Sequence, residues 1–442
     1  VNALLRLRAL RRQGLVSGIP SICSAHPLVL TAAMQQSLAD GSPLLIEATC
    51  NQVNQFGGYT GMTPADFARF VHTLAREEGL PLSNLILGGD HLGPSPWQDE
   101  PAALAMRKAG DMVEAYVLAG FDKIHLDASM RCADDPEPLP DQCIAERAAA
   151  LCLRAEQAQA RRPGKQPPVY VIGTEVPTPG GATDEEQGLQ PTSAEDVGLT
   201  LAISQSAFRK LGLDAAWERV VALVVQPGVE FGDASIHAYR RDTAQALVQA
   251  IANQAPWMYE AHSTDYQTPQ ALRELVEDRF AILKVGPALT FALREALFAL
   301  ELIEHELCGR DPSLQPSRLR EVLDQAMRAN PVHWRKHYHG NEAELAYARR
   351  FSFSDRSRYY LGDAAVMTEI ERLLAATAGP LPLALLSQYR PPAFEAVRAG
   401  QIAPSGRALA LHAIRQTLAH YAAACRPTDH FSATQPCEPL NL

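Results

Sequence analysis

The 442-residue sequence has no CxxC pair, no GxxxxGK[ST] phosphate loop and no apolar run of the roughly 18 uncharged residues that crosses a bilayer. The first absence, with eight cysteines in no regular framework, excludes a disulfide scaffold and suits reduced thiols in a cytoplasm. The second leaves phosphoryl transfer by a P-loop without local support, and the third excludes a membrane span. Positive charge is also short, with 40 Lys and Arg against 50 Asp and Glu, a net charge of −10. That balance argues against a nucleic-acid partner held through phosphates. The opening VNALLRLRALRRQG lacks the apolar core of a signal peptide, so residues 1–17 read as an amphipathic helix.

What is present is apolar: 47% of residues are hydrophobic and 20% charged, enough for a large core. Short β-branched or apolar runs recur at 18–24, 43–49, 84–90, 121–127, 168–175, 220–226, 257–262 and 280–285, each followed by a helical pattern. Eight strand-helix units are what a (β/α)8 TIM barrel needs, and such a barrel takes about 250 residues as one unit. The predicted division is a barrel over 18–300, a helical C-terminal extension over 301–425 and a poorly ordered tail over 426–442. Local signals agree. Thr63 caps a helix with Pro64 in its first turn and Gly79 at its end, and Thr192 with Glu195 has the spacing of a capping box.

Strand parity selects the residues that face the barrel interior. In FDKIHLD, Lys123, His125 and Asp127 share one face; Glu47, Thr49 and Asn51 share another, as do Glu260 and His262. Glu175, Gln226 and Lys284 lie at or near the ends of their strands. Ionisable groups thus gather where barrel enzymes keep their sites, and so many buried charges call for a metal or a substrate. Two ordinary readings compete: Glu47 pairing with Lys284, and His125 as a hydrogen-bonded core histidine.

The string GGDHLGP at 88–94 delivers an acid and an imidazole side by side, with Gly88 and Gly89 letting the backbone approach a ligand. His91 then suits a divalent metal and Asp90 proton transfer. Glu175 is a candidate metal ligand or general acid, and Gly180 and Gly181 in the loop after it offer backbone N–H groups to a phosphate or sugar hydroxyl. The late strings at 335–340 and 354–356 are basic and aromatic. They either close over the mouth and contact phosphate or form a solvated face.

The stretches GGDHLGP, EATCNQVNQFGGYTGMTP (47–64), IGTEVPTPGGA (172–182), FSFSDRSRYYLGD (351–363) and LLSQYRP (385–391) resemble the GatZ/KbaZ family, the Z subunit of D-tagatose-1,6-bisphosphate aldolase. Some members carry an older tagatose 6-phosphate kinase label. The resemblance implies a class II aldolase-like barrel, a metal held by strand-end histidines and a preceding aspartate for protons, matched by His91 and Asp90. It also implies a separate Y subunit as partner, and it brings in relatives that epimerise ketohexoses at C4. The sequence departs from the class II pattern in offering Gln226, Glu175 and His262 where further histidines are usual.

The resulting expectation is a zinc site, with manganese or nickel as alternatives, held by His91, Glu175, Gln226 and His262. Asp90, Asp127 and Glu175 would be catalytic, and Glu47, Asn51, Gly180, Gly181, Lys284 and Gly286 would bind a ketohexose or its phosphate. Three functions remain open: an accessory subunit, a metal-dependent 4-epimerase, and a Schiff-base aldolase using Lys284. A homo-oligomer is compatible with all three.

Overall fold

The computed structural model describes residues 2–173, 189–252, 257–309 and 316–429. All eight expected strands form: Ile19–Ile22 (β1), Leu44–Thr49 (β2), Leu85–Leu92 (β3), Lys123–Leu126 (β4), Val169–Gly173 (β5), Val220–Val224 (β6), Met258–Ala261 (β7) and Phe280–Val285 (β8). They close into a parallel barrel in chain order, with β8 pairing back to β1 through Ile282 to Ile19 and Val285 to Ile22. Helices follow the strands on the outside, from Pro27–Asp40 to Pro287–Cys308, giving a TIM-like barrel with further helices after it.

Alternation within each strand produces two cores. Ile46, Ile124, Leu126, Ile172 and Leu283 face the helices, whereas Leu45, Ile86, Val171, Val221 and Ile282 fill the barrel floor. The floor includes Leu4 and Leu7 of the helix Ala3–Arg12, which therefore plugs the amino-terminal end of the barrel. Arg8 fixes the plug by donating to the carbonyls of Val220 and Glu218, and Arg11 by donating to that of Val276.

The expected caps are half right. Thr63 and Asp66 make a reciprocal capping box before Pro64–Glu77. Ahead of Ala194–Lys210, however, Ser193 caps by accepting from the Asp196 amide, while the Thr192 hydroxyl accepts the backbone amide of Gln226. The two hydroxyls are adjacent, and the strand end takes one of them. Position 300 falls inside the helix Pro287–Cys308, so the extension continues the last barrel helix without a break. Of the expected tail, Thr428–Asp429 pairs antiparallel with Leu15–Val16, and residues 430–442 lie outside the described residues.

Helices from Leu319 to Cys425 lie against the barrel. The segment between Glu342–Phe351 and Ala364–Ala376 reaches the carboxyl end of the strands. Ser352 and Ser354 donate to the Asp233 carboxylate at 2.9 Å each, the Tyr266 hydroxyl donates to the Phe353 carbonyl at 2.6 Å, and Phe353 packs on Tyr266 and Phe291. Asp355 is buried between Thr290 (2.5 Å) and Arg294 (3.1 Å) of Pro287–Cys308. The extension is thus fastened to the loops after β6 and β7 and to the last barrel helix.

Candidate active site at the barrel mouth

Two layers of polar side chains cross the upper barrel. In the lower layer, Lys123 lies 2.6 Å from Glu47 and 2.8 Å from Glu260, all three without solvent exposure. Lys284 adds contacts of 3.6 Å to Glu47 and 3.2 Å to Glu260, and touches Asp90 above. Burial opposes ionisation of both glutamates, but Lys123 together with Lys284 at Glu47, and with His262 at Glu260, outweighs it and holds each carboxyl below its usual range. Burial likewise works against the Lys123 charge, and Glu260 and Glu47 together raise it.

This layer contains the Glu47–Lys284 pairing that was one of the two ordinary readings: the carboxylates of Glu47, Glu260 and Asp90 lie close together, and the Lys284 ammonium lies among them. One expectation is corrected, because Gly88 does not serve a ligand. Glu47, Gly88 and Lys123 are aligned across β2, β3 and β4, and a Cβ on Gly88 would stand 2.7 Å from Glu47 Cγ. The missing side chain lets Glu47 reach Lys123. Gly89 similarly makes room for Leu92 and Tyr116.

The upper layer is made of Asp90, His91, His125 and His262, whose ligand atoms all lie within 4.8 Å of one another. The β3–β4 register slips between Gly89 and Leu92, and His91 takes a left-handed φ of 48°. That conformation is uncommon for a side-chain-bearing residue and marks a strained site. It turns His91 toward the mouth beside Asp90, where a regular strand would send the two to opposite faces.

Carboxylates orient the imidazoles. Asp127 Oδ2 meets His91 Nδ1 at 2.7 Å, and its Oδ1 accepts from the Ser129 amide and hydroxyl. Glu260 meets His262 Nε2 at 3.0 Å. His125 places Nε2 on the Gly173 carbonyl at 3.0 Å and Nδ1 near Asp90 at 2.9 Å. Burial lowers the pKa of His262 to about 4 and also lowers that of His125, with the His91 charge adding to the second effect. Both rings are therefore neutral at pH 7, the state a metal ligand needs.

His91 and His262 with Asp90 form a donor set suited to zinc, manganese or nickel, beside His125, whose two nitrogens face Gly173, Asp90 and the His91 amide; carboxylates behind the rings are the usual support of such a site. Metal contact would fall to His91 Nε2 and His262 Nδ1, because their other nitrogens face Asp127 and Glu260.

A cavity of about 470 Å³ opens above this layer. Asn51, Asp90, His91, Asp127, His262, Lys284 and Gly286 line it, so seven of the expected site residues meet there. Glu47 sits below it. Gln226 is elsewhere: its side-chain oxygen accepts from the Gly228 and Val229 amides at 2.7 and 3.0 Å, and it lines a different cavity with Thr192. Glu175, Gly180 and Gly181 lie outside the described residues.

The ordinary reading of His125 as a hydrogen-bonded core histidine fits its full burial and its contacts with Gly173, Asp90 and the His91 amide, and it also adjoins the upper layer. Sequence reasoning did not single out Arg358, Tyr359 or Asp265. Arg358 follows Arg356 by two in the extension string, and it lines the cavity with Arg356, Tyr359 and Asp265. Tyr59, after β2, packs edge-on to Tyr359 at 4.9 Å, and Tyr359 stacks on His333 at 4.6 Å, closing one wall. The 354–356 string is therefore no solvated face, since Arg356 is only 8% exposed, whereas Arg335, Lys336 and His339 of the 335–340 string are exposed.

A protein described as a probable tagatose 6 phosphate kinase from Sinorhizobium meliloti 1021 is similar over 92% of this chain and 100% of its own, with 47% identity and a TM-score of 0.85. More distant matches are the YdjI aldolase from Escherichia coli K12 (10% identity, TM-score 0.42, covering 84% of this chain and 97% of that one) and a fructose-bisphosphate aldolase from Campylobacter jejuni (13%, 0.41, 84% and 92%). Residues 4–426 match the family described as D-tagatose-1,6-bisphosphate aldolase subunit GatZ/KbaZ-like. The chain belongs to the GatZ/KbaZ-like family of D-tagatose-1,6-bisphosphate aldolase subunits.

Proposed function

We propose that this chain is a cytoplasmic Z-type accessory subunit that supports the activity and stability of a separate aldolase Y subunit. Its own barrel mouth binds a divalent metal, zinc in the first instance, and a ketohexose or ketohexose phosphate. The observation that carries the binding site is the set of Asp90, His91, His125 and His262 converging beneath a polar cavity.

His91 and His262 would hold the metal, whose Lewis acidity would supply polarisation of the ketose carbonyl. Asp90 is placed to hold or move a proton on a neighbouring hydroxyl, with Lys284 and His125 touching its carboxylate from below and beside. Asp127 fixes the ring plane and tautomer of His91, and Asn51 offers polar contacts to sugar hydroxyls, while Gly286 lines the cavity with its own amide held by Asp265. Nothing in this arrangement asks Lys284 to be a Schiff-base nucleophile, because three carboxylates surround its ammonium.

The completeness of this acid-base set favours a second reading, a metal-dependent ketohexose 4-epimerase acting alone by retro-aldol cleavage and re-addition or by proton transfer. One experiment separates the two. The purified chain is assayed with zinc, manganese or nickel against tagatose, fructose and their phosphates, alone and with an added Y subunit. Stimulation of the Y subunit without turnover by the lone chain supports the accessory reading, and metal-dependent turnover by the lone chain supports the epimerase. Absence of both, or turnover that persists after chelation, removes the metal-ketose reading.

A further inference from the structure

We propose that Arg356 and Arg358, brought to the barrel mouth by the C-terminal extension, form the subsite for the phosphate of a phosphorylated ketose, and that the amino end of the last barrel helix does not. This deepens the ketose reading above and rests on it for the sugar, though not for the anion.

Placement comes first. Both arginines line the cavity that holds Asp90, His91 and His262, and the segment carrying them is fixed at Asp233, Tyr266 and Arg294. The subsite is therefore built before any ligand arrives.

The charges come second. Arg358 donates to the carbonyls of Ser354 and Asp355 and to the Tyr359 hydroxyl, all neutral oxygens. Among the described residues no carboxylate lies within 4.0 Å of its guanidinium. The nearest acid in sequence, Asp355, has its carboxylate engaged by Thr290, Arg294 and Ser357. Arg356 donates to the His333 carbonyl at 3.1 Å. Burial and then the Arg358 charge lower the Arg356 pKa, and the same two arginines help to hold His333 and His337 neutral. One wall of the cavity thus concentrates positive charge in a protein whose net charge is −10. The two like charges oppose each other, with Asp233 offsetting part of the effect at Arg356 and Asp355 at Arg358, and an anion at this wall relieves more of it.

The alternative anion site is already filled. The Pro287–Cys308 helix starts at the cavity, where its free amides would suit a phosphate. Asp265, itself buried, takes them: its Oδ1 accepts from the Gly286 amide at 3.0 Å and the Ala288 amide at 2.8 Å. A second anion there would meet that carboxylate. Phosphate suits the arginine pair better than a carboxylate does, since a dianion brings two negative charges and three oxygens to two positive groups.

The test uses the full chain in phosphate-free buffer, without metal, and titrates inorganic phosphate, fructose 6-phosphate, fructose and gluconate by calorimetry. Fructose 6-phosphate should bind at least tenfold more tightly than fructose, and phosphate should compete with it. Arg358→Gln and Arg356→Gln should each abolish that preference while fructose binding stays within about twofold, and Asp265→Asn should keep it. Circular dichroism checks folding, and Arg358→Lys, which keeps the charge but not the fork, should retain an intermediate preference. Equal binding of sugar and sugar phosphate by the natural chain, a preference that survives both glutamine variants, or one lost only in Asp265→Asn overturns the proposal. Tighter binding of gluconate than of fructose 6-phosphate overturns the phosphate assignment. A chain that shows the preference but neither turns over a ketose nor aids a Y subunit leaves the subsite standing and removes the functional reading instead.

Discussion

The two polar layers of this barrel contain the same kinds of residue and do opposite things. In the lower one, Glu47 and Glu260 are matched by Lys123 and Lys284 at 2.6 to 3.6 Å, shut away from water, with Ser21 donating to Glu47 at 2.7 Å. In the upper one, acids pair with imidazoles, the backbone is strained at His91, and a cavity adjoins. A count of buried charges does not separate them. What separates them is whether each charge finds a permanent counter-charge: the lysines settle the lower layer, whereas the neutral rings above keep donors turned toward a ligand.

That contrast is most exposed to failure in the lower layer. Lys123→Met should destabilise the fold by about 3–5 kcal/mol in urea unfolding, because it takes the nearer counter-charge from two buried carboxylates and leaves them to share Lys284. Near-natural stability would show that the layer is not held by ion pairing. His91→Ala, with the ring 22% exposed, should by comparison cost about 1 kcal/mol or less while abolishing tight metal binding.

Acid sensitivity sharpens the distinction. Lower-layer carboxyls sit below their usual range, so loss of stability between neutral pH and pH 4 should come from buried imidazoles. His26 is the reporter that lies outside both layers: burial lowers its pKa to about 4. Because the folded value is depressed, its contribution is fully present above about pH 6.5 and is lost as pH falls toward 4, on the order of 3 kcal/mol. His26→Asn, which keeps an acceptor at the start of Pro27–Asp40, should flatten that part of the pH-stability curve by a similar amount. An unchanged curve would place the acid-sensitive group elsewhere.

Gly88→Ala tests the row that joins β2, β3 and β4. Its new Cβ must displace Glu47, and a loss of about 1–3 kcal/mol is expected. The smallest expected effect on folding lies behind the metal donors. Asp127→Asn should leave unfolding within about 1 kcal/mol yet weaken metal affinity roughly 10- to 100-fold in equilibrium dialysis. An affinity that does not move would detach Asp127 from His91.

Much of this was legible in the sequence because it is local. Alternation in FDKIHLD put Lys123, His125 and Asp127 on one face, and Thr63, Pro64 and Asp66 announced a helix start. Reading Gly88 as a ligand contact failed because it concerns what stands across the barrel from a residue, which spacing along one strand does not encode. The arginines of the extension were visible as a basic string, but their destination depended on Asp233, Tyr266 and Arg294, all distant in the chain.

The sequence by itself determined eight amphipathic strand-helix units, which residues of each strand point inward, and an acidic chain rich enough in apolar residues to bury them. Only the tertiary structure decided which counter-charge each inward acid meets. Closure of the barrel sets the stagger between strands, and that stagger gives Glu47 and Glu260 their lysines while leaving His91 and His262 at the mouth. Electrostatic partners are chosen by distances of a few ångströms through space, and those distances exist only once the ring is shut.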